Sequence, residues 1–205
     1  MKLLLVGPVG SGKGTQAAII SEKYGIPHIS TGEIFRWHMQ NETELGLKAK
    51  EYINVGKLVP EELTFSIVKD RLSKPDCEKG FILDGYPRTM EQVKNLETIT
   101  ELDKVILIHL SEEEIINRLS SRRMCSVCKQ PTSIDWLKDG KCEKCGGEVY
   151  VRNDDKPEVI KTRLETNKVS EELINFYKNK GIFYKINATN EVQKTFGLLD
   201  ELLQK

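Results

Sequence analysis

Two groups of residues are spaced for chemistry. Near the start, LLLVGPVGSGKGTQAAI places Gly7, Gly12 and Lys13 in the pattern G-x-x-x-x-G-K, between an apolar run and a helical segment. Glycines let backbone N–H groups converge on phosphate oxygens. A helix starting there adds its positive dipole end, and the lysine reaches phosphates as a mobile charge. Gly14 follows Lys13, so Thr15 is the nearer hydroxyl for the metal side. A glycine turn that binds nothing is the plainer alternative, but strand, loop, lysine and helix stand in register. The second group is Cys125-x2-Cys128-x13-Cys142-x2-Cys145. Two Cys-x-x-Cys pairs at this separation are a zinc-ribbon pattern. Four thiolates close a coordination shell, which favours a structural metal over a catalytic one. Zn²⁺ is the expected ion, with iron or cobalt as alternatives.

Composition limits what surrounds these groups. The 205 residues carry 31 Lys plus Arg and 31 Asp plus Glu, a formal net charge of zero. This gives no global attraction to nucleic acid or an anionic membrane, and neither partner is expected. Residues 125–145 hold four lysines and three acids, a poor phosphate-backbone footprint that argues against a nucleic-acid module riding on an NTPase. Only Trp136 could stack on a base there, and it is expected to pack against the ribbon. No apolar run approaches the ~20 residues that span a bilayer, and MKLLLVGPVG is too short for a signal peptide. A cytoplasmic protein is expected, where paired cysteines read as metal ligands. Cys77 stands alone and reads as a small core or near-surface residue.

The elements that must position these groups alternate short apolar runs with helical segments, as in an α/β parallel sheet covered on both faces. Candidate strands are Lys2–Val6, His28–Ile29, Phe81–Asp84, Lys104–Leu110 and Phe183–Asn187. Asp84 ends its strand, where an acid faces the ligand crevice and can hold Mg²⁺ directly or through water; a turn-forming Asp before Gly85 is the alternative. Ser30/Glu33 and Ser111/Glu114 have capping-box spacing. Pro60 is expected at a first helical position, with Glu61 and Glu62 behind it favoured by the macrodipole. Leu63, Ile67, Val68 and Leu72 then mark an apolar face. Gly25, Gly56 and Gly181 fall where helices should stop. A last helix is expected over Glu191–Leu203. His28, His38 and His109 read as ordinary residues, His109 as a core or near-core one. Residues 30–59 and 122–159 interrupt the rhythm and read as insertions.

GPVGSGKGTQ, STGEIFR, GKLVP, FILDGYPRTMEQ and RNDDKPEVIKTRLE together resemble the adenylate kinases, specifically the long-lid, zinc-binding bacterial type. The likeness runs from residue 1 to the C-terminal helix. It implies a P-loop nucleoside monophosphate kinase fold with a five-stranded parallel sheet. The implied core is 1–29, 60–121 and 160–205, with an AMP-binding insertion at 30–59 and a zinc-ribbon lid at 122–159. The implied reaction is ATP + AMP = 2 ADP with Mg²⁺, in a monomer whose partners are ATP, AMP and ADP.

Carried over by residue, Gly10, Ser11, Gly12, Lys13, Gly14 and Thr15 hold ATP phosphates. Arg118 and Arg122 lie near ATP, with Pro131, Thr132 and Thr189 toward its adenine. AMP is held by Thr31, Arg36, the Lys57–Leu58–Val59 backbone, Gly85, Tyr86, Pro87, Arg88 and Gln92, and by Arg152 and Arg163. Lys13, Arg88, Arg122, Arg152 and Arg163 are the catalytic cations, and Asp84 holds magnesium through water. Asp154 and Asp155 belong to an R-x-D-D element that helps stage closure. Gln92 offers an amide that both donates to and accepts from an adenine edge. It and the long lid favour AMP over CMP or UMP. The chain departs from the family pattern at Pro8–Val9 and in a lid shorter between its cysteine pairs.

Overall fold

Alternation within the first apolar run sets up the architecture. Lys2–Val6 forms β1; Leu3 and Leu5 join one buried cluster, and Leu4 and Val6 another. A strand covered on both faces needs a continuous apolar run, which Leu3–Val6 supplies after the half-buried Lys2. The computed structural model describes residues 1–189 and 191–205; Asn190, in the NATN segment, lies outside the described residues.

The other strands of this sheet are β2 (His28–Ser30), β3 (Phe81–Asp84), β4 (Lys104–His109) and β8 (Phe183–Asn187). All pairs are parallel, in the order β2-β3-β1-β4-β8. After β3 the chain crosses from one side of β1 to the other. The crevice beyond the end of β1 is therefore the switch point where α/β sheets bind ligands. On one face, α1 (Lys13–Tyr24) and α9 (Val192–Leu203) contribute Ala17, Ile20, Leu199 and Leu203. On the other, α4 (Glu61–Leu72), α5 (Met90–Glu97) and α8 (Glu171–Asn179) contribute Val68, Val93, Leu96, Leu173 and Tyr177.

The two insertions take different forms. The first is α2 (Thr31–Gln40) and α3 (Glu44–Ile53), closed over Phe35, Ala49 and Val59. The second follows α6 (Glu112–Ser121) as a three-stranded antiparallel ribbon. Its strands are β5 (Arg122–Cys125), β6 (Pro131–Ser133) and β7 (Val149–Tyr150). The ribbon returns through a 3-10 turn, Asn153–Asp155, into α7 (Pro157–Thr166). That helix crosses the expected 159/160 boundary without a break.

Local signals were mostly where expected. Ser111 and Glu114 form the complete reciprocal capping box. Ser30 accepts from the Glu33 N–H, and only this forward half is formed among the described residues; Ser30 also ends β2, where it is in register with Asp84. Pro60 is the N-cap of α4, one residue before the helix, because its ψ of 145° is still extended. The α4 face is shared: Leu63 and Ile67 pack on the insertion's cluster, Val68 and Leu72 on the main core. α9 begins at Val192, one residue late.

Two side chains go against expectation. His109 is exposed, because at this end of β4 the covered side is the one taken by Ile108 and Leu110. Trp136 is 52% exposed, because the ribbon is too thin to have an interior beyond its cysteines. Cys77 is buried in the main core, as expected. Leu83 is fully buried there. Leu83→Ala is expected to cost about 2–5 kcal/mol, read as a lower denaturant midpoint at unchanged slope.

Candidate active site

The loop after β1 bends because of its glycines. Gly7 has φ +151°, and a Cβ there would stand 2.6 Å from the Ile108 carbonyl oxygen. Gly12, at φ 92°, caps α1 and turns the helix N-terminus into the crevice. The Ser11 hydroxyl is buried without a hydrogen-bond partner, a donor and acceptor held inside a loop shaped for an anion. Lys13 folds over its own loop and donates to the carbonyls of Gly7 and Pro8, both at 2.8 Å. Gly14 lies against Asp84: a Cβ there would be 3.6 Å from Oδ2.

Burial governs the charges around this loop. It brings Lys13 down to about 8; Asp84 partly offsets this, while Arg88, Arg163 and Arg122 add to it. Burial followed by the Arg152 charge brings Arg36 down to about 10. Arg163 falls to about 10, again first by burial, and burial also lowers Arg88. Burial would lower Arg152 too, but Asp154 and then Asp155 together outweigh it and raise it. Six cations therefore share a desolvated region with three carboxylates, Asp84, Asp154 and Asp155. That imbalance favours a polyanion.

The carboxylates hold the arginines in place. Asp155 is gripped bidentately by Arg122, through Nε at 2.8 Å and through Nη2, and by Arg163 Nη1 at 2.7 Å. Asp154 takes Arg152 Nε at 2.9 Å and a second Arg152 bond, with Arg163 Nη1 3.2 Å away. Burial alone would raise Asp154, but Arg152 and Arg163 hold it well below the usual carboxylate range. Burial is likewise outweighed at Asp84 by His28 and Lys13, so it stays ionised.

Two clefts open here. One, about 410 Å³, reaches Lys13, Gly85, Pro87, Arg88 and Asn167. The other, about 590 Å³, is lined by Thr31, Arg36, Lys57, Leu58, Val59, Gly85, Arg88, Gln92 and Arg163, among others. Both include Gly85, Arg88 and Asn167. Gly85 sits at φ +86°, with room for a Cβ closed by Thr31 Oγ1 at 2.9 Å and Arg88 Nη2 at 3.1 Å. Arg88 Nε donates to the Gly85 carbonyl, and the Arg88 N–H to Gln92 Oε1 at 2.7 Å.

Other expected site residues sit apart from these clefts. Tyr86 is fully buried and turned into the core, because its hydroxyl finds polar partners there. Arg118 donates to the Thr189 carbonyl at 2.7 Å and lies 3.4 Å from where a Gly12 Cβ would be, which ties Thr189 to the loop. Pro131 is exposed, and the Thr132 hydroxyl donates to Glu143 within the ribbon.

Sequence reasoning passed over two contributors. His28 Nε2 is buried, 3.5 Å from Asp84 Oδ2; the adjoining β2 and β3 were the available clue. Thr166 donates to the Gly56 carbonyl at 2.8 Å, a contact across 110 residues with no local signal.

The four ribbon Sγ atoms lie within 4.8 Å of one another, with Cys125–Cys145 at 3.4 Å and Cys128–Cys142 at 3.9 Å. A disulfide needs about 2.05 Å, so these are thiols. A zinc tetrahedron with Zn–S bonds of about 2.3 Å has S–S edges of about 3.8 Å, and the quartet fits it. Desolvation raises Cys125, but N–H groups of Cys128 and Val127 outweigh it and bring it to about 6.

A phosphate-binding loop, an acid at a strand end and a cluster of buried arginines define a P-loop nucleotide phosphotransferase. The family model "Adenylate kinase" matches residues 5–182. The adenylate kinase of Archaeoglobus fulgidus is 46% identical over 214 residues, covering all of this chain and 99% of its relative. That of Lysinibacillus sphaericus is 47% identical, covering all of this chain and 98% of its own. That of Acetivibrio thermocellus is 49% identical over 95% and 94%. The chain belongs to the adenylate kinase family.

Two outcomes follow. Lys13 has a folded value below its free one, so its charge costs stability below about pH 8 and that cost fades above. Bound phosphates reverse the shift. Nucleotide binding near pH 8.5 should therefore take up a proton that binding near pH 6.5 does not. Calorimetry in buffers of different ionisation enthalpy reads this directly, and Lys13→Arg should abolish it. If the four cysteines hold a structural metal, a chelator should lower the melting of the ribbon before that of the sheet, seen as a separate low-temperature calorimetric transition.

Proposed function

We propose that this chain transfers the terminal phosphoryl group of ATP to AMP, giving two ADP, with donor phosphates on the Gly10–Thr15 loop and AMP in the 590 Å³ cleft. The observation that carries this reading is the junction of the two clefts at Gly85 and Arg88, within reach of Lys13. In this reading 30–59 is the AMP-binding domain, 122–159 the lid, and 1–29, 60–121 and 160–205 the core. Both clefts are complete within one chain, so a monomer suffices, acting in the cytoplasm. No helix among the described residues is long and apolar enough to cross a membrane.

An AMP phosphate oxygen attacks the γ-phosphorus. The new P–O bond forms as the bond to the β-bridging oxygen breaks, and its electron pair leaves with ADP. The nucleophile is already anionic, so no general base is required. The work is alignment and charge compensation. Lys13 and Arg88 serve the transferring group. Arg122, Arg152 and Arg163 exchange their Asp154 and Asp155 partners for phosphate oxygens as the lid shuts and excludes water. Arginine suits this because its planar fork grips two oxygens at once. Magnesium, when bound with ATP, neutralises charge on the β- and γ-oxygens, and Asp84 is the residue to hold it through water. Zinc on Cys125, Cys128, Cys142 and Cys145 would pin the two arms of the lid.

Arg88→Ala or Arg122→Ala should lower turnover by about 10²–10³-fold or more while the thermal midpoint stays close to that of the parent. Near-normal turnover in either would overturn the assignment. An ADP-formation assay across AMP, CMP, UMP and GMP should show AMP as the preferred acceptor.

A further inference from the structure

The two walls of the acceptor cleft come from segments far apart in the chain. One is the Lys57–Val59 backbone, which runs through Pro60 into α4. The other is the Gly85–Arg88 turn, which runs into α5. Glu61, the first residue of α4, joins them. Its Oε1 accepts from Tyr86 O–H at 3.2 Å and from Asn95 Nδ2 at 2.7 Å. Tyr86 lies inside the turn and is fully buried, and its hydroxyl also lies 3.2 Å from the Gln92 carbonyl oxygen. Gln92 in turn holds the Arg88 N–H.

The start of α4 is itself rigid, because Thr64 Oγ1 donates to the carbonyls of Val59 and Pro60 at 3.3 and 3.1 Å. A movement of Glu61 therefore carries Val59 with it. Helix-dipole favour accounts for an acid at this position, but not for a carboxylate turned inward. Its Oε2 is buried with no partner, a cost that a surface acid would avoid.

We propose that Glu61, through Tyr86 and Asn95, is a positioning residue that sets the separation of the two walls and so the affinity for the acceptor nucleotide. This rests on reading that cleft as the AMP site. Glu61 itself touches neither the phosphate loop nor the donor side of the crevice, so its main effect is on acceptor binding, with KM for ATP little changed.

The test uses the full, metal-loaded chain with steady-state kinetics and thermal midpoints. Glu61→Ala should raise KM for AMP roughly three- to tenfold, the equivalent of one misplaced hydrogen bond, with KM for ATP within about twofold. Glu61→Gln keeps an acceptor at Oε1 and should bring KM for AMP back to within about twofold of the parent. Tyr86→Phe, which removes only the hydroxyl, carries the same test should Glu61→Ala not fold. An unchanged KM for AMP, or an equal rise in both KM values, in a folded variant overturns the proposal. Arg36→Ala separates the two levels. If it leaves AMP binding intact, the acceptor-site reading itself fails; if it weakens AMP binding and the Glu61 variants do not, only the positioning role falls.

Discussion

Everything in this molecule is arranged around the cost of keeping like charges together away from water. Lys13, Arg36, Arg88 and Arg163 are all drawn down by burial; Arg88 and Arg163 press Lys13 further down, and Arg152 and Arg122 do the same to Arg36 and Arg163. A chain of zero net charge has gathered six of its cations at one crevice, against three acids. Such an arrangement persists only because a rigid frame imposes it. The frame is the five-stranded sheet, whose switch point sets Gly7, Asp84 and the start of α1 side by side.

The three acids have separate tasks. Asp84 ends β3 beside β1 and faces Lys13 and His28 at the floor of the crevice. Asp154 and Asp155 lie in the turn leaving the ribbon and hold Arg122, Arg152 and Arg163. In the proposed reaction these are the bonds that phosphate oxygens replace. Because the arginines are already oriented, that exchange loses little side-chain entropy. On that reading the cations are held ready by groups weaker in charge than the polyanion that would displace them.

The ribbon solves a different problem. It has three short strands and little apolar surface, with Trp136, Ile134 and Val127 all exposed. A segment of that size cannot pay for its ordering by burial. Four cysteines placed to hold one ion would supply the missing constraint and join its two arms. Arg122 leads directly into the first arm and Arg152 leaves the second, so stiffness at the cysteines is passed to the arginines.

The sequence by itself determined the features that depend on neighbours in the chain. The phosphate loop was legible because its glycines, lysine and helix start are contiguous. The cysteine quartet was legible from spacing, the central strands β1, β3 and β4 from near-continuous apolar runs, and the box at Ser111–Glu114 from one helical turn, whereas the ribbon strands carried no such signal. Most of the arginines were legible only through resemblance, since a lone arginine is ordinarily a solvated charge. Tertiary structure alone decided which way side chains face and which distant residues meet. Tyr86 turns inward to Glu61 and the Gln92 carbonyl, His109 outward, and Trp136 stays half exposed. Thr166 meets Gly56, and His28 meets Asp84. These outcomes depend on where a neighbouring element offers a polar partner or an apolar surface, and that is set by packing between segments as many as 110 residues apart.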